Sequence, residues 1–145
     1  MSNKQIVVVD DDPDLLGLLT DGLSLYGTYD IIPCLNGESG LAMIEQHQPD
    51  CIIVDILMPG INGYQFVSAI RGDPATDQIP LVILSALVQE QDRILGLLRG
   101  ADAYLPKPIE FSDLVAVINS AIDLTRDQRA DMYNQMAADL PEVGN

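Results

Sequence analysis

Positive charge is scarce in this chain of 145 residues: Lys and Arg number 7 against 22 Asp and Glu, for a formal net charge of −15. Nucleic acid and anionic membranes both demand clustered positive charge, so neither is expected as a direct partner. One histidine, two cysteines and no tryptophan argue against a disulfide framework and against a Cys/His zinc site. Long apolar runs are missing too. The strongest, residues 6–9, 51–54 and 81–84, are far shorter than a membrane span, and three aspartates follow the first, which excludes a secretory leader. The acids never form a block of five or six, so the charge does not signal disorder. What is present is 48% apolar residues, enough to build one core. These features predict a soluble, intracellular, acidic single domain.

Short β-branched runs alternate with helical patterns. Strands are expected at residues 5–9, 30–34, 51–55, 81–84 and 103–105. Three of them are apolar without alternation, as a strand reads when both faces are hidden in a parallel sheet. Asp12 followed by Pro13 predicts an N-cap and first helical residue, opening a helix to about Tyr26 with Leu15, Leu16, Leu19 and Leu23 inward. Asn36 caps a second helix that ends at Gln48 and Pro49. Further helices are expected from Gly63 to Arg71, from about Gln89 to Arg99 with Gly100 as the terminator, and from near Glu110. Strict alternation over five units predicts a doubly wound α/β fold, which places its chemistry at the carboxyl ends of the strands. After Leu124 no strand signal remains. Met132, Met136 and Leu140 fall four apart, so part of residues 125–145 is expected to extend the last helix; the segment reads as a self-packed or solvated tail, with a linker or pairing helix as the alternative.

The first strand ends in Asp10-Asp11-Asp12, the third in Asp55, the fourth in Ser85-Ala86 and the fifth in Pro106-Lys107-Pro108. A parallel sheet brings these ends to one edge and gathers carboxylates, a hydroxyl and an ammonium there. Crowded carboxylates raise one another's pKa unless a cation neutralises them. Oxygen-only ligands of high charge suit Mg²⁺. An aspartate beside Mg²⁺ and a lysine can capture a phosphoryl group as an acyl phosphate. Asp12 is assigned to capping; Asp10 and Asp11 are expected to have no backbone amide to cap. The Asp10, Asp12, Asp14 run imitates a calcium loop, but Leu15 and Asp21 stand where Gly and Glu are required. No glycine-rich phosphate loop follows any strand.

Over residues 4–124 the sequence resembles the receiver domain of the two-component response-regulator family. The motifs are Val7-Val8-Val9-Asp10-Asp11-Asp12-Pro13, Val54-Asp55-Ile56-Leu57-Met58-Pro59 with Asn62-Gly63, Ile83-Leu84-Ser85-Ala86, and Gly100-Ala101-Asp102-Ala103-Tyr104-Leu105-Pro106-Lys107-Pro108. The resemblance implies a flavodoxin-like (βα)5 fold with a five-stranded parallel sheet in the order 2-1-3-4-5. Asp55 would be the phosphoacceptor, and Asp10, Asp11, Asp55 and the Leu57 backbone carbonyl would hold Mg²⁺. Ser85 would be the switch hydroxyl, Lys107 the phosphate-binding lysine and Tyr104 the aromatic switch. A cis Lys107–Pro108 bond is implied as well. So is a strand order that separates Cys34 from Cys51 and leaves both as reduced core residues.

The family reading implies a cytoplasmic phosphorelay switch, not an enzyme, that takes its phosphoryl group from a sensor histidine kinase or histidine phosphotransfer protein. Its downstream partner would meet the face formed by the fourth helix, fifth strand and fifth helix. Residues 1–124 would be the receiver and 125–145 an extension without an effector domain. A receiver-fold interaction module not controlled by phosphorylation is the alternative, and homodimerisation through the fourth and fifth helices is left open. A magnesium phosphatase is disfavoured, since Leu57 stands where a second catalytic aspartate would be wanted. Leu57 and Leu87, each two residues beyond a site residue, cannot orient a hydrolytic water, which predicts slow self-dephosphorylation.

Overall fold

The apolar runs lie side by side as strands at the centre of one parallel sheet. A computed structural model describes residues 3–87, 89–124 and 126–139. Its strands are β1 (Lys4–Val9), β2 (Tyr29–Cys34), β3 (Cys51–Val54), β4 (Leu81–Ser85) and β5 (Ala103–Pro106), ordered β2-β1-β3-β4-β5 and parallel throughout. The helices are α1 (Pro13–Leu25), α2 (Gly37–His47), α3 (Gly63–Arg71), α4 (Glu90–Arg99), α5 (Phe111–Asp123) and α6 (Arg126–Asp139). The fold is flavodoxin-like, as the sequence implied.

Successive strand residues point to opposite faces, and the two cores divide accordingly. Val7, Val9, Ile52, Val54 and Ile83 pack with Ile44 of α2 and Phe66, Val67 and Ile70 of α3. Ile6, Val8, Ile53, Val82 and Leu84 pack with Leu16, Leu19 and Leu23 of α1 and Leu114 and Ile118 of α5. A strand buried on both faces has no polar face to show, which is why these runs do not alternate.

Local signals fix the helix ends. Asp12 Oδ1 accepts the Asp14 amide at 3.0 Å, with Pro13 opening α1. Asn62 and Gln65 form a reciprocal capping box at the start of α3. Gly100 closes α4 at φ 119°, a conformation that side chains resist. Cys34 and Cys51 are free and buried, with β1 between their strands. Among the described residues no helix is long and apolar enough to cross a membrane.

The tail differs from a continued α5. Leu124 is extended (φ −68°, ψ 132°), so α5 stops there and α6 begins as a separate helix. Met132 is 45% exposed; the Met136 side chain and residues 140–145 lie outside the described residues.

Candidate functional site

The sheet register sets the carboxyl edge. Asp55 donates its amide to the Val9 carbonyl at 3.0 Å, which ties the end of β3 to the end of β1. Asp10, Asp11 and Asp55 each offer a carboxylate oxygen, and these atoms lie within 4.8 Å of one another. Lys107 reaches in from beyond β5, its Nζ 2.9 Å from Asp10 Oδ2 and 3.3 Å from Asp55 Oδ2. The Lys107 amide donates to the Ser85 carbonyl at 2.9 Å, and the Lys107–Pro108 bond is cis. The expected acidic residues and the lysine therefore share one cleft.

The electrostatics follow from that crowding. Asp55 is 5% exposed, and its Oδ1 is buried with no hydrogen-bond partner. Burial, and then the charge of Asp10, push its carboxyl above the usual range, while Lys107 pulls it back in part. Burial works against the Lys107 ammonium, but its bond to Asp10 and the charges of Asp10 and Asp55 outweigh this and hold it above the ordinary lysine value. Asp10 corrects one expectation. Its Oδ1 accepts the Asp12 amide at 2.9 Å, so it does satisfy a backbone group as well as facing Lys107. The chain turns back over Asp10 as α1 begins, which brings that amide within reach.

Ser85 is fully buried, and its Oγ accepts the Leu87 amide at 3.2 Å. Tyr104 packs inward beside Ile83 and Gly96 of α4, and its hydroxyl donates to the Leu87 carbonyl at 2.7 Å. Ser85 and Tyr104 thus both hold the short loop that follows β4. Leu57 is 54% exposed beside the cleft, whereas Leu87 is packed on the core.

Sequence reasoning missed the supporting role of Gly63. A Cβ there would stand 2.5 Å from the Asp55 carbonyl oxygen and 2.6 Å from the Ile56 Cα, so only glycine lets α3 start directly under the Asp55 loop. Asn-Gly at the head of a helix was the available signal. Asp102 is the second omission, at the opposite edge of the sheet. Its carboxylate accepts the Leu81 amide at 2.8 Å and pairs with Arg71 at 3.1 Å and with Arg129.

This arrangement agrees with sequence comparison. The model of the response regulator receiver domain matches residues 6–119. The chain belongs to that family. It is 36% identical to the protein PilH of Pseudomonas aeruginosa over 118 residues, covering 81% of this chain and 97% of PilH. It is also 36% identical to the DNA-binding master regulator RpaA of Synechocystis, covering 83% of this chain but only 50% of RpaA. The receiver thus spans about half the length of that relative. A putative response regulator from Chloroflexus aurantiacus superposes with a TM-score of 0.80 at 32% identity, covering 85% of this chain and all of the other. The receiver domain of the sensor kinase PA1611, whose cleft holds a magnesium ion, shares the fold at a TM-score of 0.77 and 24% identity, covering 85% of this chain and all of its own. Receiver domains are signalling switches of two-component systems, and this chain is one by family.

Proposed function

We propose that this receiver accepts a phosphoryl group on Asp55 from a sensor histidine kinase or histidine phosphotransfer protein, in a Mg²⁺-dependent reaction. The observation that carries the reading is the unpartnered, buried Oδ1 of Asp55 inside a cluster whose only described cation is Lys107. A buried anionic oxygen without a donor is costly, and it leaves the Asp55 carboxylate free to divide the roles of metal ligand and nucleophile between its two oxygens. The donor set fits Mg²⁺: the oxygens are hard, anionic and close together, and a surface cleft leaves room for retained waters. Asp10, Asp11, Asp55 and the Leu57 carbonyl would hold it. Once bound, the ion would neutralise charge on the transferring phosphoryl oxygens.

The chain's own residues do the rest. Asp55 attacks phosphorus as the bond to the donor nitrogen breaks, and the donor imidazole leaves. Lys107, freed from part of its pairing, turns its ammonium to the phosphoryl oxygens. Ser85 donates its hydroxyl to the same group, which pulls on the loop after β4. Tyr104 follows because its hydroxyl is bound to that loop at Leu87. The shift remodels the α4–β5–α5 face, where a protein partner reads the state; a few kcal/mol of new charge-assisted contacts bias such a two-state element. Residues 1–124 act as the receiver and 125–145 as its extension. The protein works in the cytoplasm as a switch and does not turn over substrates.

The test is to incubate the protein with a small phosphodonor and Mg²⁺ and weigh it intact. One added phosphoryl group, lost in Asp55→Asn and lost with a chelator, is expected. No addition at all would favour an interaction module not controlled by phosphorylation.

A further inference from the structure

Helix α6 lies beyond the family match, which stops at residue 119, and it folds back onto the receiver. Its apolar residues gather on no single face, so an apolar stripe does not explain its seat. The seat is ionic. Arg129 binds both oxygens of Asp102, Nε to Oδ1 and an Nη to Oδ2 at 3.2 Å, with the Asp102 side chain only 1% exposed. Asp102 stands just before β5, two residues from Tyr104. On one flank Met132 lines a groove of about 380 Å³ together with Ala103, Val117 and Ala121; on the other, Ala130 and Asn134 line a second with Leu98 and Gly100. Helix α6 therefore crosses the amino end of β5 between α4 and α5.

A second property makes this seat releasable. Arg71 already neutralises Asp102, and it is fixed independently of α6 by carbonyls of Gly100 at 2.8 Å, Asp77 at 3.1 Å and Ile79 at 2.7 Å. The Leu81 amide donates to the same carboxylate. Without Arg129, Asp102 keeps one guanidinium and one backbone donor, both on Oδ2; its charge stays paired, and Oδ1 is left for water to reach as α6 lifts. The second guanidinium is the tail's own contribution to this carboxylate.

We propose that α6 is an autoinhibitory strap, latched by Arg129 on Asp102, that masks the part of the α4–β5–α5 face formed by the start of β5 and the carboxyl-terminal parts of α4 and α5. A protein that reads this face must displace the strap or accommodate it. That the masked surface is the output face rests on the receiver reading; the latch and the masking do not.

The test uses the full chain and Arg129→Gln. Hydrogen exchange should show protected α6 amides in the parent protein. In R129Q that protection should fall roughly tenfold or more, the worth of one charge-assisted hydrogen bond, while β1 and β3 stay unchanged. Arg129→Lys, with the charge but not the fork, should fall between. Val117→Cys placed in the groove should react with a thiol reagent several-fold faster when combined with R129Q. Unprotected α6 amides in the parent, or equal labelling with and without Arg129, would overturn the strap. A failed receiver reading shows itself separately, as no phosphoryl addition, whatever α6 does.

Discussion

Asp55→Asn should make the metal-free protein more stable, although it removes one ion pair. Attraction between Asp55 and Lys107 at 3.3 Å is worth roughly 5 kcal/mol at an effective dielectric of about 20. Repulsion from Asp10, no more than 4.8 Å away, returns roughly 3.5 kcal/mol at the same dielectric, and the exposed Asp11 adds under about 1 kcal/mol at the dielectric of water. The pair energies nearly cancel. Burial then decides the sign, because in place of the unpartnered anionic Oδ1 a neutral amide can turn its NH2 to the neighbouring carboxylates, a difference of about 1–3 kcal/mol. The net gain for the amide is roughly 1–2 kcal/mol, or about 3–8 °C in Tm for a domain of this size. Thermal unfolding with a chelator present measures it. The pH dependence follows the same sign. The folded Asp55 carboxyl titrates above its unfolded value of 3.8, so its penalty is full above the folded pKa and relieved as pH falls through it. The parent should therefore gain on the asparagine variant as pH drops through that window. Mg²⁺ at a hundredfold excess over its dissociation constant should stabilise the parent by about 2.7 kcal/mol and Asp55→Asn by less. A variant that melts lower than the parent without metal would refute the reasoning, and so would equal Mg²⁺ stabilisation of both.

Gly63→Ala should cost about 1–3 kcal/mol by forcing the start of α3 off the Asp55 backbone, and phosphorylation should slow with it; urea unfolding and intact mass check the two effects. Lys107→Met leaves Asp10 and Asp55 without their counter-charge, a loss of up to about 3 kcal/mol that chemical denaturation would reveal and that Mg²⁺ should largely repair. Burial pushes the Cys51 thiol up to about 12 and also raises that of Cys34, so neither should alkylate in the native protein at neutral pH, with unfolding exposing both. Leu57 faces solvent at 54% exposure; Leu57→Asn should fold normally and shorten the acyl-phosphate lifetime, and an unchanged decay rate would show that this position does not govern hydrolysis.

The strands and the site were readable because burial and chemistry left marks on residue type. Residues 51–54 are apolar without alternation because both faces of β3 are covered, and Asp12-Pro13 and Asn62 cap helices where their types predict. Other features leave no such mark. The bond from the Asp12 amide to Asp10 depends on how the chain turns after β1. The need for Gly63 comes from the approach of two backbones, and an Asn-Gly pair alone does not distinguish that from a turn. Helix α6 was anticipated through a methionine spacing that is not what seats it, since Arg129 and a buried aspartate 27 residues earlier do so. Long-range ion pairs carry no period.

The most direct measurement maps the phosphoryl group. After phosphorylation with Mg²⁺, borohydride reduces an aspartyl phosphate to homoserine, and peptide sequencing by mass spectrometry locates it. Homoserine at position 55 alone is the predicted result. Homoserine at position 10, 11 or 12, or at no position, would contradict the account.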